Sequence, residues 1–167
     1  MRIDPVPSLA AGSLTITFDW RHDRWGHRVA VGDRVVAESV EDSADGDPRW
    51  PAAPVLTEVT PTTAAGRPAI VGVGLAGRSH FSASFAPHPT LPDTVLVEIA
   101  CRVQERPGRL GSTYRTADGR VVRTVPLGQA DSDALPRTIQ WSYGIGPQGI
   151  VAATGAACDS MADASDF

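Results

Sequence analysis

His27 and Glu38 carry the most specific chemistry that can be built from this sequence. Residues Trp25 to Val31 alternate with period two, placing Trp25, His27, Val29 and Val31 on one face of a strand. Gly32-Asp33 suits a two-residue hairpin turn into Arg34–Val40. Closing that turn places Val31 opposite Arg34, Val29 opposite Val36 and His27 opposite Glu38. A carboxylate beside an imidazole fixes its tautomer and raises its basicity, as a general base or a metal ligand requires. On this reading His27 is the base of a small hydrolase and Glu38 orients it. The bland alternative is a satisfied polar pair where a sheet face meets solvent.

Gly72, Gly74 and Gly77 spell the dinucleotide-binding pattern G-x-G-x-x-G. That pattern works only when a helix follows, because the helix N-terminus holds the pyrophosphate. Here Arg78 to Phe85 alternates polar and apolar, which predicts a strand. No nucleotide and no other cofactor is therefore expected. The glycines are expected to bend the chain or to let another backbone pass close.

Arg78, His80, Ser82 and Ser84 form the polar stripe of that strand, and Glu98, Arg102 and Gln104 lie on a polar face further on. Ser, His and Glu on one sheet face invite a hydrolase reading. A nucleophile also needs a contacting base and an oxyanion hole, which a flat sheet face does not supply. The stripe reads as a solvated face with Arg78, His80 and Ser82 available for binding.

The four histidines, His22, His27, His80 and His88, show no metal-ligand spacing, and no metal is expected. Arg102, Arg106, Arg109, Arg115, Arg120 and Arg123 gather positive charge around Tyr114. The chain is nevertheless net acidic, with a formal charge of −4, which argues against a nucleic-acid partner. Arg115 and Arg123 instead read as a soluble edge, or as a contact for the acidic loop Glu41 to Asp47 of another molecule. Trp50, between prolines and that loop, is the tryptophan expected to be exposed. With Trp25 it is the candidate for a sugar platform.

Composition prunes further. Every basic residue is Arg; Lys and Asn do not occur. This excludes a P-loop lysine, a Schiff base and a Cys-His-Asn nucleophile within the chain. Heavy use of Ala, Gly, Pro and Arg points to a GC-rich genome. Met1 to Pro7 lacks the apolar run of a signal peptide, and Thr138 to Cys158 is too polar and Gly-rich for a membrane span. Two cysteines make no disulfide framework. The expected location is the cytoplasm.

The elements that must position these residues are strands. Ser13–Trp20 and Trp25–Val31 pair Trp20 with Trp25, Phe18 with His27, Ile16 with Val29 and Leu14 with Val31, which opens a meander. Trp50 to Pro54 reads as irregular surface chain. In Thr94–Val103 the residues Val95, Val97, Ile99, Cys101 and Val103 share a face. Asp118-Gly119 predicts a two-residue turn that pairs Tyr114 with Arg123 and Arg115 with Val122. Thr138–Tyr143 is the last expected strand, and residues 144–167 read as a flexible tail. Eight to ten short strands with little helix predict an all-β antiparallel sandwich over residues 1–143, with a jelly roll or open barrel as the alternative.

The leading functional expectation is a non-enzymatic binding module whose partner is another protein or a second copy. A hydrolase built on His27 and Glu38 and a carbohydrate-binding module are the alternatives. An enzyme requires a pocket around His27, a sugar module exposed coplanar rings, and an interaction protein an apolar patch or a symmetric dimer.

Overall fold

The strand periodicity of the sequence closes into two antiparallel sheets facing each other. A computed structural model describes residues 4–42, 46–127, 134–153 and 156–161. Residues 43–45 of the acidic loop, and 154–155 and 162–167 of the expected tail, lie outside the described residues.

The strands are β1 (Ser8–Ala11), β2 (Leu14–Arg21), β3 (Arg24–Val31), β4 (Arg34–Ser39), β5 (Glu58–Ala64), β6 (Arg67–Ala76), β7 (Ser79–Pro87), β8 (Val95–Val103), β9 (Ser112–Thr116), β10 (Val121–Pro126), β11 (Arg137–Gly146), β12 (Gly149–Ala152) and β13 (Ala156–Met161). One sheet runs β1-β2-β3-β4-β9-β10-β13; the other runs β12-β11-β8-β7-β6-β5. The fold is a β-sandwich, and no helix occurs among the described residues.

Among the described residues thirteen strands occur, against the eight to ten expected. The surplus includes β1 and the two strands beyond residue 143. β11 continues to Gly146, β12 pairs back onto it through Ile145 and Ile150, and β13 pairs with β10. Residues 144–146, 149–152 and 156–161 are therefore sheet residues. Small residues there hide the usual apolar alternation.

Alternation elsewhere sets the core. Leu14, Ile16, Phe18 and Val29 from the first sheet meet Ile70, Phe85, Val95, Val97, Ile99, Cys101 and Val103 from the second, all buried. Phe18 and Phe85 touch edge to face across the gap, with ring centroids 5.0 Å apart.

The β2–β3 register agrees at every expected pair. The next pairing does not. A bulge between Val29 and Ala30 puts Arg28, not His27, opposite Glu38. Such an extra residue reverses which side chains face the core from there on. Ser39 consequently turns inward and is buried, while Glu38 turns out to solvent.

The β9–β10 hairpin also departs from expectation. Val122 pairs with Tyr114 and Val121 with Arg115, so the connection is the three residues Ala117, Asp118 and Gly119, with φ 84° at Gly119. The one-residue slip places Arg123 opposite Thr113, inside the sheet between β9 and β13. Arg123 is buried and is no edge residue.

The segment Trp50–Leu56 is the largest correction. Every residue of it is buried, Trp50 to 8 % exposure. Pro51 and Pro54 carry no N–H, which lowers the number of donors that burial must satisfy. Its end is tied to both sheets: Trp25 N donates to Leu56 O at 2.8 Å, and Thr57 N donates to Val73 O at 2.8 Å.

Candidate functional site

His27 sits in the sandwich interior. Its Nε2 lies 2.8 Å from the Tyr114 hydroxyl, which lies 2.8 Å from the Tyr143 hydroxyl. The chain of groups crosses from β3 and β9 of one sheet to β11 of the other. Trp141 Nε1 donates to Ser112 Oγ at 3.1 Å beside it. Burial pulls the His27 pKa down to about 3, with the Arg21 guanidinium adding to the shift. Burial pushes Tyr143 up to about 12, and Tyr114 well above the ordinary phenol range. The imidazole is therefore neutral at physiological pH.

Glu38 is not near that ring. It belongs to a surface cluster around Arg21, whose Nη2 donates to Glu38 Oε1 at 3.0 Å. Arg21 also donates to Asp19 Oδ2 at 2.8 Å, Glu41 Oε2 at 2.8 Å and Ser39 O at 2.8 Å. Ser39 Oγ accepts from the backbone N of His27 and donates to Glu41 Oε1. The carboxylate that reaches toward His27 is thus Glu41, and it reaches only the peptide, through Ser39. The void bounded by His27, Ser39, Glu41, Tyr114 and Tyr143 measures about 10 Å³. That is room for one water at most, so no substrate fits.

The tryptophans do not make a platform. Trp50 is buried, and exposed Trp20 meets half-buried Trp25 edge to face, with centroids 5.6 Å apart at 80°. A sugar ring needs a flat stacking surface, which perpendicular rings do not offer.

The glycine pattern lies within β6 and its turn. Gly77 opens the turn to β7 with φ 56°, and no helix follows. Gly72 and Gly74 face inward beneath the buried segment. A Cβ at Gly74 would stand 2.1 Å from Val55 O, and one at Gly72 would stand 3.0 Å from Leu56 Cδ1. Close backbone passage is their use.

The outer face of the second sheet is open among the described residues, and the expected polar stripe lies on it. Antiparallel register builds it as a grid. One row runs Thr60, Val71, Ser84, Glu98, Ser142 across β5, β6, β7, β8 and β11; the next runs Glu58, Val73, Ser82, Ala100, Gln140. A third runs Leu75, His80, Arg102, Thr138 across β6, β7, β8 and β11. Arg78 occupies the β6–β7 turn at the end of the face and is exposed. Arg115 lies on the other sheet, opposite Glu38, so the Arg-rich cluster is divided between two surfaces.

Small side chains floor the grid and larger ones wall it. Two adjoining depressions of about 510 and 660 Å³ share Val73, Ser82 and Ala100. Along one wall Val71, Val73 and Leu75 are 40, 48 and 51 % exposed. The three form an exposed apolar row on a mostly polar face. Its sequence signal was present: β6 is apolar on both faces, as a strand covered twice would be. Among the described residues no group of three or more His, Cys, Asp or Glu side chains converges to hold a metal, and no helix is long and apolar enough to cross a membrane.

Comparison with protein-family models, with curated proteins and with solved structures finds no match to this chain. The class is therefore defined by the fold and the face alone: an antiparallel β-sandwich with one open, partly apolar sheet surface.

Proposed function

We propose that this protein is a non-enzymatic binding module and that its recognition surface is the outer face of β5, β6, β7, β8 and β11. The exposed row Val71, Val73 and Leu75 beside a floor of Ser82, Ser84 and Ala100 carries the reading. A shallow, mixed surface of this breadth fits another protein's flat face better than a small molecule, which needs enclosure. His80, Arg102 and Glu98 supply polar contacts that set register, and Arg78 extends the face at its end. A chain with two cysteines, too few for a disulfide framework, supports the cytoplasm as its place.

The test is capture from a total extract of the source cells by the immobilised chain. Proteins held by the wild type are expected to be lost with Ala100→Arg, which fills the floor. They are expected to stay with Arg120→Glu, in the exposed turn after β9. An unchanged set with Ala100→Arg overturns the reading.

A further inference from the structure

We infer that the partner of this face is a second copy of the same chain, packed face to face about a two-fold axis; the inference rests on the binding-face reading above. The axis would lie between the two sheets, at right angles to the strands, above the central row Val73, Ser82, Ala100 and Gln140.

The grid is self-complementary about that line. The rotation leaves each strand over its own copy and exchanges the two outer rows. Glu98 then faces the partner's Arg102, and Arg102 faces the partner's Glu98. Val71 faces the partner's Leu75, Ser84 the partner's His80, and Ser142 the partner's Thr138. On β6, β7, β8 and β11 each exchange matches opposite charges, apolar with apolar, or polar with polar. An isologous interface requires this kind of match.

The charges make the strongest part of the case. Glu98 and Arg102 point outward from the same strand, four residues apart, so about 13 Å separates them. They do not pair with each other within one copy, where Glu98 Oε2 accepts from Ser84 Oγ at 3.4 Å and Arg102 Nη1 donates to Thr138 Oγ1 at 3.3 Å, and neither has an ion-pair partner among the described residues. The two-fold operation pairs both at once. Ser82 and Ala100, on the central row, let the two sheets approach as closely as sandwich sheets do. At the rim Glu58 would face its own copy, where water screens the repulsion. The grid covers about 500 Å² per copy, or about 1,000 Å² for the pair, at the lower bound for a specific interface. The dimer is therefore expected to be reversible and concentration-dependent.

Sedimentation equilibrium on the full chain tests this by charge exchange. The wild type is expected to show a monomer–dimer equilibrium below about 500 µM. Glu98→Arg and Arg102→Glu are each expected to weaken it by about tenfold or more, because each sets like charges opposite one another twice. Mixing the two single variants restores both opposite-charge pairs and is expected to recover a heterodimer. The double variant Glu98→Arg with Arg102→Glu is expected to recover the homodimer. The recoveries keep the test independent of any folding defect in a single variant. A wild type that stays monomeric, or a mixture no tighter than its components, overturns the inference. Extract capture that is still lost with Ala100→Arg would then leave the binding face standing with a different partner.

Discussion

The carbonyl oxygen of Val55 lies 2.1 Å from the point where a Cβ on Gly74 would stand. The glycine is therefore the condition for the buried segment Trp50–Leu56 to lie against β6. That segment in turn closes the space over His27 and Tyr114, through Ala53, Pro54 and Leu56. Gly72 and Gly74, part of the pattern that resembles a nucleotide loop, thus let this segment hold the interior shut.

Gly74→Ala is expected to cost about 3 kcal/mol, because the obstacle is backbone and must shift. Gly72→Ala meets only the flexible end of Leu56 and is expected to cost about 1 kcal/mol. Urea unfolding followed by tryptophan fluorescence measures both. Equal costs at the two positions would contradict the close passage of Val55.

Acid should weaken the fold through His27. Its pKa falls from 6.5 to about 3 on folding, so below pH 6.5 the unfolded chain takes up a proton that the folded chain refuses. The contribution is fully present above 6.5, declines as pH falls and levels off near 3. In that window it amounts to about 1.4 kcal/mol per pH unit at most. His27→Phe is expected to flatten the difference in unfolding free energy between pH 6.5 and 4 relative to wild type. A variant with the same slope as wild type would place His27 in contact with solvent.

Tyr114→Phe removes the hydroxyl shared by His27 and Tyr143 and is expected to cost about 1–3 kcal/mol. Tyr143→Phe added to it should cost less than it does alone, since the partner is already gone. Thermal unfolding of the two single variants and the double variant gives the coupling. Strict additivity would mean that the three groups do not form one chain.

Much of the sandwich is legible in the sequence, and the failures have local causes. Leu14, Ile16 and Phe18 alternate cleanly, so parity alone aligned β2 with β3. Val35, Val36 and Ala37 are three apolar residues in a row, which breaks parity. Val36 and Ala37 are both buried, and there the bulge displaced Glu38 from His27. Asp118-Gly119 suits both two-residue and three-residue turns, because each can use Gly in a left-handed conformation. Local chemistry could not choose between them, and the choice decided whether Arg123 opposed Tyr114 or Thr113. The prolines flanking Ala52 and Ala53 signal a loop correctly but do not signal burial, which depends on a glycine-lined strand distant in sequence. The polar stripe of β7 was visible from alternation; its neighbours Val71, Val73 and Leu75 were not, since their pairing needs the sheet order.

Thiol reactivity separates the two cysteines. Cys101 is buried in β8 and burial pushes its pKa up to about 12, whereas Cys158 is exposed. A chromogenic disulfide reagent is expected to titrate one thiol per native chain and two after unfolding. Rapid reaction of both in the native state would contradict the packing of β8 against the first sheet.

The central proposal is that two copies of this protein meet through the outer face of the second sheet. Methyl-resolved NMR of the labelled chain over a dilution series tests it most directly. The account predicts concentration-dependent shifts confined to Val71, Val73, Leu75 and Ala100, with Val35 and Val151 unchanged. Shifts centred on Val35 or Val151, or a spectrum that does not change with concentration, would contradict it.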